Sequence, residues 1–277
     1  MITKQTSRYA LPGLALAVLM FAMQAATAVP TTDAADLKSP RPGVVAGYMP
    51  MGSWVDSVAF LPPPPEPGSA AKAADDAVFQ MSRNLIGSAR WLQAEKDAVL
   101  SFSKAAEAFQ CALGVNINAE VAPHLSMLLR RTLTDAGLAT YKAKEFYKRQ
   151  RPFMAGNDVT CTPKDEAALR KDGSYPSGHA AVGWAWGLVL TEVAPERANA
   201  LVQRGKAFGQ SRAVCGVHWQ SDVDGGQLLA SAVVAQLHSM ADFNEQLALA
   251  RREFASALGA GSHPSSDCAT EAKSLAQ

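Results

Sequence analysis

The sequence predicts an all-α chain, a single-domain helical bundle preceded by an extended proline-rich arm. Two observations carry this. From Ser69 onward, Ala/Leu-rich segments repeat apolar residues at helical spacing, with few β-branched alternations that would mark strands. Before Ser69 there is no such period, and the run Leu61-Pro62-Pro63-Pro64-Pro65-Glu66-Pro67 favours an extended polyproline path.

In chain order, Lys4 and Arg8 precede the apolar run Leu14–Met23, which ends near Ala26-Thr27-Ala28. A basic start, a short apolar stretch and small residues make a secretory signal peptide, 1–28, cleaved after Ala28. Residues 29–68 form the arm, and Tyr48, Met49, Met51, Trp54 and Phe60 give it apolar surface to lay on the domain. The helical domain covers 69–258. Ser69 caps a helix from Ala70 to about Ser88, and a second runs from Arg90 to about Leu113. A third, Ala122 to Ala136, carries Leu125, Leu128, Leu129 and Leu133 at core spacing and stops at Gly137. Leu138 to Gln150 is stopped by Arg151-Pro152, because proline cannot continue a helix. After an irregular stretch and a turn at Glu166–Lys171 come Gly178–Val193, Pro195–Gln210, and Ser221 to about Leu258 with a break near Ala241. The tail, 259–277, is loose except where Cys268 ties it down.

Without the leader's two basic residues the balance is 24 Lys+Arg against 25 Asp+Glu, a net of −1. That excludes nucleic-acid coating and leaves anion binding to a local cluster. No run after the leader reaches membrane-span length without polar residues, so no stable membrane insertion is expected. Cys111, Cys161, Cys215 and Cys268 are an even set in an exported chain, up to two disulfides with three pairings open. No zinc-ligand spacing occurs; neither a metal nor a cofactor is expected.

Three stretches carry chemistry. In Ser211-Arg212-Ala213-Val214-Cys215-Gly216-Val217-His218-Trp219-Gln220-Ser221-Asp222, His218 and Asp222 stand four apart. A carboxylate there fixes the imidazole tautomer and steadies the charge formed when the other nitrogen attacks, while Arg212 offers a planar fork to an oxyanion. In Gly173-Ser174-Tyr175-Pro176-Ser177-Gly178-His179 a helix begins, leaving N–H groups, a hydroxyl and a side-chain-free backbone for an anion, with His179 at the rim as a proton donor. In Lys144–Pro152, Lys144 and Arg151 are two helical turns apart and point the same way; Lys142, Lys148 and Arg149 are read as a solvated basic face.

Together these eleven positions (Lys144, Arg151, Pro152, Pro176, Ser177, Gly178, His179, Ser211, Arg212, His218 and Asp222) resemble the signature of the type-2 phosphatidic acid phosphatase and vanadium haloperoxidase superfamily. The words around them, from Leu61-Pro-Pro-Pro-Pro-Glu-Pro-Gly-Ser69 to Cys215-Gly-Val-His-Trp-Gln-Ser-Asp-Val223, look like the bacterial class A non-specific acid phosphatases. The resemblance implies a periplasmic or secreted, metal-independent acid phosphatase of broad phosphomonoester range with a phosphotransferase side activity. In it His218 is the nucleophile, His179 the general acid and base, and Asp222 the orienter. Lys144, Arg151, Ser177, Gly178 and Arg212 bind the phosphoryl oxygens. Vanadate and phosphate are expected inhibitors, and one neutral and one protonated imidazole imply a bell-shaped, mildly acidic pH profile.

A vanadate-dependent haloperoxidase would share the oxyanion site, but the chain is small and its flanking words are those of the phosphatases. A lipid phosphatase is usually membrane-spanning, and a phosphate-binding module would not need His179, His218 and Asp222 together. Tyr175, Asp158 and the arm are expected around the organic part of the substrate, and the apolar arm points to a homo-oligomer.

Overall fold

The computed structural model describes residues 29–40, 43–156 and 158–276 together with Met1; the remainder of the expected leader lies outside them. The described residues are helical, without a strand: α1 Ser57–Phe60, α2 Ala70–Arg83, α3 Ala89–Asp97, α4 Lys104–Glu107, α5 Gln110–Leu113, α6 Pro123–Ala139, α7 Tyr141–Tyr147, α8 Phe153–Gly156, α9 Glu166–Leu169, α10 Gly178–Val193, α11 Ala198–Val214, α12 Gln220–Leu237, α13 Ala241–Gly259 and α14 Cys268–Leu275. None is long and apolar enough to cross a membrane.

The bundle is built around α10, which packs on α11, α12, α6 and α13. Its sequence is apolar nearly all round, as a helix buried on every side requires. Trp186 fills the centre, edge-on to Phe109 and tilted on Phe208, with its indole N–H donated to the Leu129 carbonyl at 2.9 Å. α10 and α11 touch backbone to backbone: a Cβ on Gly205 would stand 2.7 Å from the Gly183 carbonyl oxygen.

The arm is fastened by one buried carboxylate. Asp135 on α6 accepts from the Tyr48 N–H at 2.7 Å, the Met49 N–H at 3.3 Å and the Trp54 indole at 3.0 Å. Tyr48, Met49 and Leu61 are buried, whereas Met51 and Phe60 stay exposed.

Several boundaries differ from the sequence reading. The helix expected over Arg90–Leu113 is three pieces, because Asp97 is drawn into a buried pair with Arg204 at 2.6 Å and the Ala98 carbonyl turns to His179. Gly137 does not stop α6. It keeps right-handed geometry, and α7 ends at Tyr147, where Lys148 turns left-handed with φ 45°, well before Pro152. α11 runs on to Val214, so Ser211 and Arg212 are helical. The tail is not loose: α14 is held by the Cys111–Cys268 disulfide and by Glu271, 3.2 Å from Arg204. The second disulfide, Cys161–Cys215, ties the stretch after α8 to the end of α11.

Candidate active site

His218 lies just before α12, whose first turn carries Asp222. The carboxylate is saturated. Oδ2 accepts from the Trp219 N–H at 2.8 Å, from the Ser174 hydroxyl and from His218 Nδ1 at 3.2 Å; Oδ1 accepts from Arg149 at 2.6 Å. On the other side of the ring, Arg151 Nη1 lies 2.9 Å from His218 Nε2. A guanidinium only donates, so Nε2 must hold a lone pair and Nδ1 the proton. Burial, then the Arg151, Lys144 and Arg212 charges, hold His218 well below the usual histidine range, which keeps the ring neutral.

His179 follows the N-cap of α10 and is partly buried. Its Nε2 lies 2.9 Å from the Ala98 carbonyl, an acceptor only, so Nε2 carries a proton and Nδ1 is the nitrogen left for chemistry. Burial and then Arg212 push it well below its ordinary value. Both rings are thus held toward the neutral form.

Three cations converge on this pair of rings. Lys144, which burial and the Arg151 charge lower to about 8, reaches Asp172 at 3.1 Å and the Gly173 carbonyl. Arg151 is almost fully buried and meets the same Asp172 oxygen at 3.0 Å, along with the carbonyls of Leu169 and Val217. Gly173 is required here, since a Cβ on it would lie 2.4 Å from the Lys144 carbonyl oxygen. Arg212 differs from the others: it is buried, yet its Nε and Nη1 have no hydrogen-bond partner. Burial pushes its guanidinium down, but such a group keeps its proton at neutral pH. Two unsatisfied donors on a buried, charged guanidinium favour an oxyanion as their partner.

Lys144, Arg151, Gly178, His179 and His218 line one cavity of about 170 Å³. Asp222 stands behind His218. The Ser177 oxygen caps α10 by accepting from the Ala180 N–H at 3.2 Å, leaving its own hydroxyl proton to donate. Ser211 is not at the cavity: its hydroxyl donates to Asp97 at 2.6 Å in the network behind. Tyr175 is buried with its hydroxyl on the Pro62 carbonyl, and neither it nor Asp158 lines the cavity, whereas the arm contributes Val44.

Residues 123–246, which contain all eleven signature positions, match the model of the PAP2 superfamily. The chain is 47% identical over 209 residues to a non-specific acid phosphatase of Providencia stuartii, covering 75% of this chain and 84% of that one. It is 43% identical over 198 residues to an acid phosphatase of Zymomonas mobilis, covering 72% and 75%. It is 44% identical over 200 residues to a non-specific acid phosphatase of Salmonella typhimurium, covering 72% and 80%. The chain belongs to the non-specific acid phosphatases of the PAP2 superfamily.

For this acid phosphatase the sequence reading missed four groups around the site. Arg149, read as solvated, is nearly buried between Asp75 at 2.7 Å and Asp222 at 2.6 Å. Its placement follows from the early end of α7, which turns the chain inward, and Asp75 in α2 carried no signal. Ser174 sits inside a string already singled out, and Asp172 directly before it. A polar residue beside Gly173 was the available clue for both.

Proposed function

We propose that the protein is an exported acid phosphatase that hydrolyses phosphomonoesters by way of a phosphohistidine on His218. The observation that carries this reading is the fixed tautomer of His218: Nδ1–H is held by Asp222, and the Nε2 lone pair accepts from Arg151 Nη1 at 2.9 Å, a donor that the phosphoryl oxygens would draw onto themselves as Nε2 attacks.

Nε2 attacks phosphorus in line and the bond to the leaving oxygen breaks, while Asp222 balances the imidazolium that forms. Lys144, Arg151, Arg212, the Ser177 hydroxyl and the Gly178 N–H take the non-bridging oxygens and steady the charge of the trigonal-bipyramidal state. A Cβ at Gly178 would meet only the Thr140 hydroxyl at 3.6 Å; the glycine serves to expose its backbone. These cations supply the charge that a metal ion would otherwise bring.

His179 gives its proton from Nδ1 to the leaving alcohol, then takes one from the water that hydrolyses the phosphohistidine. Its proton arrives with the substrate: a phosphomonoester's second pKa is about 6, and a bound phosphoryl dianion would favour the imidazolium against the burial and the Arg212 charge that otherwise hold the ring neutral. An alcohol in place of that water would receive the phosphoryl group, which accounts for a phosphotransferase side activity.

The test is hydrolysis of an aryl phosphate by the mature protein in excess EDTA, with and without vanadate. Activity that survives EDTA and is blocked by vanadate supports the reading. Loss in EDTA contradicts it, and halide oxidation with vanadate and peroxide in place of hydrolysis would assign the haloperoxidase chemistry instead.

A further inference from the structure

The cavity that holds the two histidines has two unlike ends. One is the cationic clamp. The other is walled by Val44 from the arm, Leu100 from the stretch after α3, Leu133 and Leu138 from α6, Leu169 from α9 and Val182 from α10, with the Tyr141 ring beside them. Most of these side chains are only half-buried, so apolar surface is held open to solvent at the place where a leaving group must sit.

The polar groups of this wall are already committed. The Thr134 hydroxyl donates to the Val45 carbonyl at 2.8 Å and the Thr140 hydroxyl to the Gly137 carbonyl at 2.7 Å. Apart from Tyr141, the lining side chains beyond the clamp have no donor to offer a polyol. They include no cation for a second anionic group either, and the charge among them is the Asp172 carboxylate. Sugar or glycerol hydroxyls would find few donors here and few acceptors beyond the Asp172 carboxylate and the threonine oxygens, whereas an apolar group loses nothing by the transfer. A cavity of about 150 Å³ holds one benzene. This one, at about 170 Å³, takes a phosphoryl group and the near part of one ring, with its mouth open to the rest.

We infer that this end is a leaving-group subsite for an uncharged apolar alcohol about one ring across, and that it selects such phosphomonoesters over those of polyols. The inference rests on the clamp being the phosphoryl site. Leu138, on the wall and outside the clamp, is a specificity-determining residue.

The experiment compares benzyl phosphate with glycerol 1-phosphate, both esters of primary alcohols, so that the subsite and not the chemistry of the leaving oxygen sets the ratio. Wild-type kcat/KM should favour benzyl phosphate by at least about tenfold, mainly through KM. In Leu138→Gln, and independently in Leu133→Gln, that ratio should fall about tenfold. Equal use of the two esters by the wild type, or variants that slow both alike and leave the ratio intact, overturns the inference. Calorimetric binding of benzylphosphonate against 2,3-dihydroxypropylphosphonate separates the two levels of the argument. Tighter benzylphosphonate binding without turnover of either ester would keep the subsite and sink the hydrolase mechanism; equal binding would sink the subsite.

Discussion

Arg151 Nη1 stands 2.9 Å from His218 Nε2, and the direction of that hydrogen bond decides the tautomer of the ring. Because a guanidinium has no lone pair to offer, the ring's own lone pair must be on Nε2, and its proton on the Asp222 side. His218 therefore already holds the tautomer that a nucleophilic Nε2 would require, with the Arg151 guanidinium against it.

Asp222→Asn should remove that tautomer. The amide offers an N–H where Nδ1–H needs an acceptor, and it leaves Arg149 facing a neutral group. Turnover should fall by about 10³- to 10⁴-fold with KM little changed. Steady-state kinetics on a variant shown by circular dichroism to be folded checks this, and a loss under tenfold would count against the orienting role.

Arg149→Ala tests a residue that the sequence did not reveal. It would leave the buried carboxylates of Asp75 and Asp222 without their shared cation, which for a broken buried pair costs about 3–5 kcal/mol. Urea denaturation should show a loss of that order; a change below about 1 kcal/mol, typical of a surface pair, would restore the solvated reading.

Asp172→Asn should tighten anion binding. One carboxylate oxygen of Asp172 meets Lys144 at 3.1 Å and Arg151 at 3.0 Å, so it would compete for two of the three cations proposed to bind the phosphoryl group. The inhibition constant of inorganic phosphate should drop several-fold. Weaker inhibition would mean that Asp172 supports the clamp instead of competing with the ligand.

The pH dependence follows from the His218 and His179 rings. Both are held well below the ordinary histidine value of about 6.5, so the native protein stays unprotonated there while the unfolded chain takes up protons. Their contribution is fully present above about pH 6.5 and is lost as pH falls toward the folded-state values, by up to about 1.4 kcal/mol per unit for each ring. Unfolding midpoints should decline below about pH 6.5. Bound phosphate should raise the His179 titration in ¹³C-histidine spectra, and an unmoved titration would contradict the proton route.

The all-α class and the core helix α10 were legible because apolar spacing and a Ser-Gly helix start are local signals. The signature residues were legible for the same reason, as spacing along the chain. What sequence could not supply is which groups meet across it. Asp75 reaches the site from α2, and the Ala98 carbonyl that orients His179 exists only because α3 ends where Asp97 meets Arg204. Lys144 and Arg151 do converge, but through the left-handed turn at Lys148 and the shared Asp172 instead of along one helix face.

The most direct test of the account is to quench turnover of a ³²P-labelled phosphomonoester and look for label on the protein. The account predicts an acid-labile, base-stable phosphoenzyme in the wild type and in His179→Ala, where an activated leaving group lets the intermediate form and its slowed hydrolysis lets it accumulate. It predicts none in His218→Ala. Label that persists without His218, or turnover that continues in that variant, would contradict it.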